Sequence, residues 1–289
     1  MAKVKIITDS GCDISKEDEA RYKIDIMSFD IVLGDRTFVE RKTVTNQEFY
    51  EIIDKSPEIP KTSQITTYRF EEKFRECVKE GCEDVIVTLI NSAGSQTYAN
   101  AVQALENLTE TGETGNTKIH ILDSHSYSLG YGYPVVEAAR KLESGQSVEM
   151  VLSFMVDWFN CCEVHIIGFN LRHMKKSGRI SAASSFLGEM LSLKPVISLI
   201  DDETQVVKKS RGEKAAVLDA VQYISERMIP ETPWHLLTTT APEMEELLRK
   251  TMTKKVGYEP TLQEECGGVV ACNAGPCFIG VITKGKPRR

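Results

Sequence analysis

Short apolar runs alternate with amphipathic stretches along the whole chain, and no other feature of the sequence narrows the fold as much. Residues 4–10, VKIITDS, read as a buried strand ending in a polar turn, and residues 27–33 as a second strand. A helix follows over 48–54, with Phe49, Ile52 and Ile53 on one face behind a Thr45 cap. Residues 68–81 form a helix closed by Gly81, 85–90 a strand, 98–108 an Ala-rich helix, 119–122 a strand and 133–142 a helix. This rhythm predicts a sheet of mostly parallel strands covered by helices on both faces.

The polar stretch ESGQS, residues 143–147, interrupts the pattern, and a helix with Val151, Phe154, Met155 and Trp158 on its apolar side follows. Strands are then expected at 164–169, 196–200, 235–239 and 278–282, with helices at 213–227 and 242–253. The expected fold is therefore two α/β lobes with mostly parallel sheets, residues 1–150 and 151–289. A chain of 289 residues has room for two such cores.

Composition removes several functions. Hydrophobic residues make up 41% and charged residues 27%, the balance of a folded globular protein. A net charge of −7 disfavours nucleic acid as a partner, since phosphate binding needs a basic surface. No apolar run approaches the roughly 18 residues of a membrane span. The start, MAKVKIITDS, lacks an apolar leader segment and reads as the first strand, so a cytoplasmic location is expected. None of the eight cysteines forms a C-x-x-C pair, so no metal site is predicted and the thiols are read as buried and free.

In open α/β sheets ligands gather at the carboxyl ends of strands. Those ends are rich here in small hydroxyl residues: Thr8-Asp9-Ser10-Gly11, Thr62-Ser63-Gln64, the loop 91–97 with Ser92 and Ser95, and Asp123-Ser124-His125-Ser126. Hydroxyls and helix-start amides suit a carboxylate or phosphate, although each residue alone also suits a helix cap. The second half adds the segment 175–181 with Arg179, and the Gly-rich stretch 267–276 with Asn273 and Gly275. An arginine can fork onto a carboxylate, and a Gly-rich turn admits a close ligand. Neither G-x-G-x-x-G nor G-x-x-x-x-G-K-[ST] is present, so nucleotide binding has no support.

The order of these motifs resembles the DegV family over essentially the whole chain. It runs from TDS through TSQ, the S-x-x-S-x-T-Y of 92–98, DS followed by SLGYG, the K-K-x-G-R-I-S of 175–181, KPVISLIDDE, Arg211-Gly212 and a late Gly-rich turn. The resemblance implies a long-chain fatty acid held between the lobes, no cofactor and no catalysis by the chain itself. Some members are similar to the carrier subunit of a fatty acid kinase, which implies a separate kinase as partner. It also implies carboxylate contacts from Thr62 and Ser95, with Ser63 and Ser92 nearby and Arg179, Asn273 and Gly275 as further site residues. A buried carboxylate needs several donors or it protonates. The tail contributes about 0.8 kcal/mol per CH₂, on the order of 10 kcal/mol for a long chain, so tail burial sets affinity and the hydroxyls set orientation.

The chain departs from the family pattern in places. Asn273 stands where kinase carriers usually have His, Gln96 and Ser177 replace glycines, and Ile65-Thr66 follows TSQ in place of Pro-Ser. Asn donates a hydrogen bond but cannot become cationic. Arg172 is a further candidate donor, and Lys208, Lys209 and Arg211 form a basic cluster suited to an acidic partner surface. The competing reading is a hydrolase using Cys272, Cys277 or Ser95 with His125, against which stands the lack of a G-x-S-x-G elbow.

Overall fold

The computed structural model describes residues 3–180 and 193–286. The chain begins with β1 (Val4–Asp9), a 3-10 turn over Ser10–Cys12, α1 (Lys16–Tyr22) and β2 (Asp25–Met27). It continues through β3 (Asp30–Leu33), β4 (Arg36–Val39), α2 (Asn46–Lys55) and β5 (Lys61–Ser63). Next come α3 (Thr67–Lys79), β6 (Asp84–Leu89), α4 (Thr97–Glu110), β7 (Lys118–Asp123), α5 (Leu129–Glu143) and α6 (Val148–Phe159). The remainder holds β8 (Cys162–Gly168), α7 (Arg172–Ser177), β9 (Leu193–Ile200), β10 (Glu203–Arg211), α8 (Glu213–Arg227), β11 (Trp234–Thr238), α9 (Pro242–Val256), β12 (Leu262–Glu265), α10 (Gly268–Ala274) and β13 (Phe278–Lys284). Ser181, the last residue of the K-K-x-G-R-I-S motif, lies outside the described residues, as do residues 287–289 of the tail.

The chain divides into two units. The first comprises Met1–Asp30 and Ser63–Phe159, and the second Ile31–Thr62 and Asn160–Arg289. A division at residue 150 differs in two respects: the break falls after Phe159, and an excursion over 31–62 groups with the second half. Its apolar residues explain why. Ile31, Leu33, Phe38, Phe49, Tyr50 and Ile53 form a buried cluster with Ala271 and Cys272.

The first unit carries a four-stranded sheet in the order β2-β1-β6-β7, parallel throughout. Its central strands are almost wholly buried, as strands covered on both faces must be. Residues 27–33 are not one strand. The run breaks at Ser28-Phe29 into β2, which pairs with β1, and β3, which joins a separate sheet of order β4-β3-β5.

The second unit's main sheet has the order β10-β9-β8-β13-β11-β12. The expectation of mostly parallel strands fails here: β10–β9, β9–β8, β8–β13 and β13–β11 are antiparallel, and only β11–β12 is parallel. The cause is local. Asp201 and Asp202 both adopt positive φ (52° and 63°), the geometry of a tight hairpin turn, so β9 folds straight back into β10. The two edge strands, β10 and β12, are rich in charged and polar residues and give no apolar run to read.

Candidate functional site

In the first unit the carboxyl ends of β1, β6 and β7 meet in one knot of polar loops. Asp9 closes β1 and is fully buried. Its Oδ2 accepts the Ile90 amide at 2.7 Å, and its Oδ1 accepts the Gly11 amide at 3.0 Å and the Tyr131 hydroxyl at 2.5 Å. Burial raises the Asp9 carboxyl to about 6 against the opposing pull of these donors. Asp9 is therefore committed to joining β1, the loop after β6 and α5.

The loop after β6 is an Asx turn, in which the Ala93 amide donates to Asn91 Oδ1 at 2.8 Å. The amides of Ser92 and His125 both donate to Asp123 Oδ1, at 3.2 and 3.0 Å, so the loops after β6 and β7 are tied at one carboxylate. Ser95 Oγ lies 2.9 Å from Thr97 Oγ1 and accepts the Thr97 amide at 3.2 Å. Thr97 Oγ1 in turn accepts the Ile65 amide at 3.3 Å, which draws the segment after TSQ to the start of α4. Within this unit, Ser92 and Ser95 thus share one loop, and the residues following Ser63 are bonded to it. Ser95 lies one residue before Gln96, the residue at the helix start, and its hydroxyl takes the Thr97 amide just inside α4.

Thr62 closes the excursion of the second unit and Ser63 opens the next segment of the first. Thr62 is half-buried on β5, whereas Ser63 is exposed. The hydroxyls of Thr62, Ser63 and Ser92 have no hydrogen-bond partner among the described residues. They keep full donor capacity.

The second unit places Asn273 and Gly275 at the end of α10. The start of that helix is held by the excursion: Glu40 Oε1 accepts the Val269 amide at 2.7 Å, and the Tyr50 hydroxyl donates to the Cys266 carbonyl. Asn273 turns its Nδ2 back onto the Val269 carbonyl at 2.9 Å. Gly275 has φ +87°, and a Cβ there would stand 3.1 Å from His173 Nδ1. The space left by this glycine is taken by an imidazole. Arg179 is exposed and donates to the Ser177 carbonyl at 3.2 Å, within its own turn. Arg172 donates to the carbonyls of Ser56 and Pro57 at 2.7 and 2.6 Å, which fastens the excursion to α7.

The DegV family model, whose members are described as uncharacterised proteins, matches residues 3–285. The chain belongs to the DegV family. A DegV domain-containing protein of Clostridium perfringens is 32% identical over 217 residues, 75% of each chain. One from Caldanaerobacter subterraneus subsp. tengcongensis is 26% identical over 288 residues, 99% of this chain and 100% of that one. Among solved structures, a DegV family protein from Thermus thermophilus described for its fatty acid binding superposes with a TM-score of 0.85 at 26% identity, covering 98% of this chain and 100% of that one. The fatty acid binding DegV family protein of Streptococcus agalactiae gives a TM-score of 0.87 at 24% identity, covering 99% and 100%, and establishes the shared fold alone.

The cysteines proposed as nucleophiles, Cys272 and Cys277, are held in the thiol form. Burial pushes Cys272 well above the ordinary thiol range, with Glu40 adding to the effect, and burial raises Cys277 as well. Ser95 makes no hydrogen bond to His125; its partner is Thr97. His125 instead lies 3.7 Å from Asp123. Among the described residues no helix is long and apolar enough to cross a membrane, and no group of three or more His, Cys, Asp or Glu could hold a metal ion.

Asp9, Asn91 and Tyr131 fell within motifs quoted from the sequence but were given no role of their own, and His173 was not singled out at all. Asp9 carried a signal, an aspartate directly ending an apolar run. His173 carried none, because its importance depends on a glycine about a hundred residues later in the chain.

Proposed function

We propose that this chain binds a long-chain fatty acid and carries it without transforming it. The observation that supports this most is the full-length likeness to the Thermus thermophilus protein, the relative described for fatty acid binding with which the chain shares 26% identity. The hydroxyls of Thr62, Ser63 and Ser92 are uncommitted donors suited to a carboxylate, with Ser95 beside Ser92 in the same loop. Burial of the tail supplies the affinity, at about 0.8 kcal/mol per CH₂. Arg179 is exposed and its guanidinium keeps further N–H groups for a negatively charged head group.

The finer part of the proposal is that the loaded protein presents its carboxylate to a separate kinase for acyl-phosphate formation. The exposed Lys208, Lys209 and Arg211 on β10 are the charges with which it would dock an acidic partner. Native mass spectrometry of the purified protein, followed by lipid extraction, tests the binding claim. A stoichiometric long-chain fatty acid is expected. A protein that is empty and also refuses added fatty acids would overturn it.

A further inference from the structure

We propose that His173 is a head-group contact for the acyl ligand, donating an imidazole N–H to a carboxylate oxygen; this rests on the fatty-acid reading above. His173 lies on α7, 1% exposed, with both ring nitrogens lacking a hydrogen-bond partner among the described residues. Arg172, Lys176 and Asp54 act on the ring electrostatically but none hydrogen-bonds to it. α7 packs on α10, and its neighbour Met174 belongs to a buried cluster with Ile180, Ala274 and Phe278. The ring rests against the backbone of Gly275, where a Cβ would approach Nδ1 to 3.1 Å and Cγ to 3.3 Å. Any side chain at 275 would press on the imidazole, and its positive φ already disfavours a non-glycine residue there.

Three other polar side chains of this unit each already hold a hydrogen bond within it. The Asn273 amide is bonded to Val269, Arg172 to the Ser56 and Pro57 carbonyls, and Arg179 to the Ser177 carbonyl. His173 is the buried group of α7 whose hydrogen-bonding capacity is wholly open. Buried polar atoms in folded proteins are almost always paired, by protein, water or ligand. An unpaired imidazole is destabilising, and the damage is undone when a partner arrives. Burial, reinforced by Arg172, holds the ring below its ordinary pKa and favours the neutral form. A neutral imidazole presents one N–H and one lone pair. The N–H suits a carboxylate oxygen, and the second nitrogen accepts from a hydroxyl or a water.

The test uses the full chain, stripped of lipid and then reloaded with oleate. Loading should shift the His173 ring ¹⁵N resonances, and His173→Phe should weaken oleate binding by about tenfold, the loss of one charge-assisted hydrogen bond. His173→Gln, which keeps an N–H donor, should recover part of the loss. The stripped His173→Phe protein should be at least as resistant to urea as the stripped wild type, because an apolar ring needs no partner there. Unshifted ring resonances together with unchanged oleate affinity in His173→Phe would overturn the inference and assign the ring to a buried water. Wild type that takes up oleate while His173 stays silent defeats only this inference, whereas wild type that never takes up oleate defeats the fatty-acid reading as well.

Discussion

The indole N–H of Trp158 donates to the carbonyl of Gly130 at 2.8 Å. The bond answers a defect in α5. Pro134 lies inside that helix and has no N–H to give to the carbonyl four residues earlier, which is that of Gly130. A side chain from α6 takes over the missing donor's role, which explains how α5 tolerates an internal proline. Trp158→Phe should destabilise the protein by about 1–3 kcal/mol, through loss of a buried hydrogen bond. Restoring an N–H with Pro134→Ala should shrink that loss by about 1 kcal/mol. Urea unfolding of the four proteins of this cycle measures the coupling. Equal losses in both backgrounds would refute the exchange of donors.

Asp9 gives the first unit a pH dependence. The folded protein keeps a proton on this carboxyl up to about pH 6, whereas the unfolded chain releases it near 3.8. Stability from this group is complete below 3.8 and is lost as pH rises through about 6. The shift is worth about 3 kcal/mol at about 1.4 kcal/mol per pKa unit. Asp9→Asn cannot ionise, so the variant should gain on wild type by roughly this amount between pH 4 and pH 8. A stability difference that stays flat over that range would mean that the carboxyl is not raised.

The second unit responds in the opposite sense. His165 is fully buried, with Nδ1 2.7 Å from Ser198 Oγ, and burial lowers it from 6.5 to about 3. The unfolded chain takes up a proton near 6.5 that the folded protein refuses until about pH 3. Stability from this group is present above 6.5 and lost as pH falls towards 3. Wild type should lose about 3 kcal/mol more than His165→Gln between pH 7 and pH 4. Parallel losses would show that the ring titrates normally.

The α/β rhythm was legible because both sheets have cores of apolar runs that announce themselves, such as 85–90 and 278–282. The Thr45 cap was legible too, and the structure completes it as a capping box with Glu48. What stayed hidden was non-local or polar. Edge strands β10 and β12 carry few apolar residues, so the antiparallel second sheet could not be seen. The predicted start of α5 near residue 133 missed Gly130 and Gly132, which read as loop. In the fold Gly132 lies within α5, packed against the Cys12 carbonyl oxygen so closely that a Cβ would clash, and only glycine permits that approach. The grouping of 31–62 with the second half depends on Phe49 and Tyr50 packing near Cys272, a pairing across more than two hundred residues. The hydroxyl motifs could be listed from sequence, but not sorted into caps and free donors.

That sorting makes the hydroxyls separable by experiment. Thr62 and Ser92 use no side-chain hydrogen bond within the described residues, so replacing either by alanine should change stability by no more than about 0.5 kcal/mol. Ser95 is bonded to the Thr97 hydroxyl and accepts the Thr97 amide at the start of α4, so Ser95→Ala should cost about 1 kcal/mol of stability. If these three hydroxyls hold a carboxylate, each substitution should also weaken oleate binding by roughly three- to tenfold, the worth of one hydrogen bond. The decisive comparison is then between stability and affinity. Thr62→Ala and Ser92→Ala should lower affinity while leaving unfolding unchanged, a combination that a purely structural hydroxyl cannot produce. Titration calorimetry of oleate beside urea unfolding reads both quantities. Unchanged affinity in Thr62→Ala and Ser92→Ala would remove them from the head-group set, and a loss of stability alone in Ser95→Ala would leave Ser95 with a purely structural role at the start of α4.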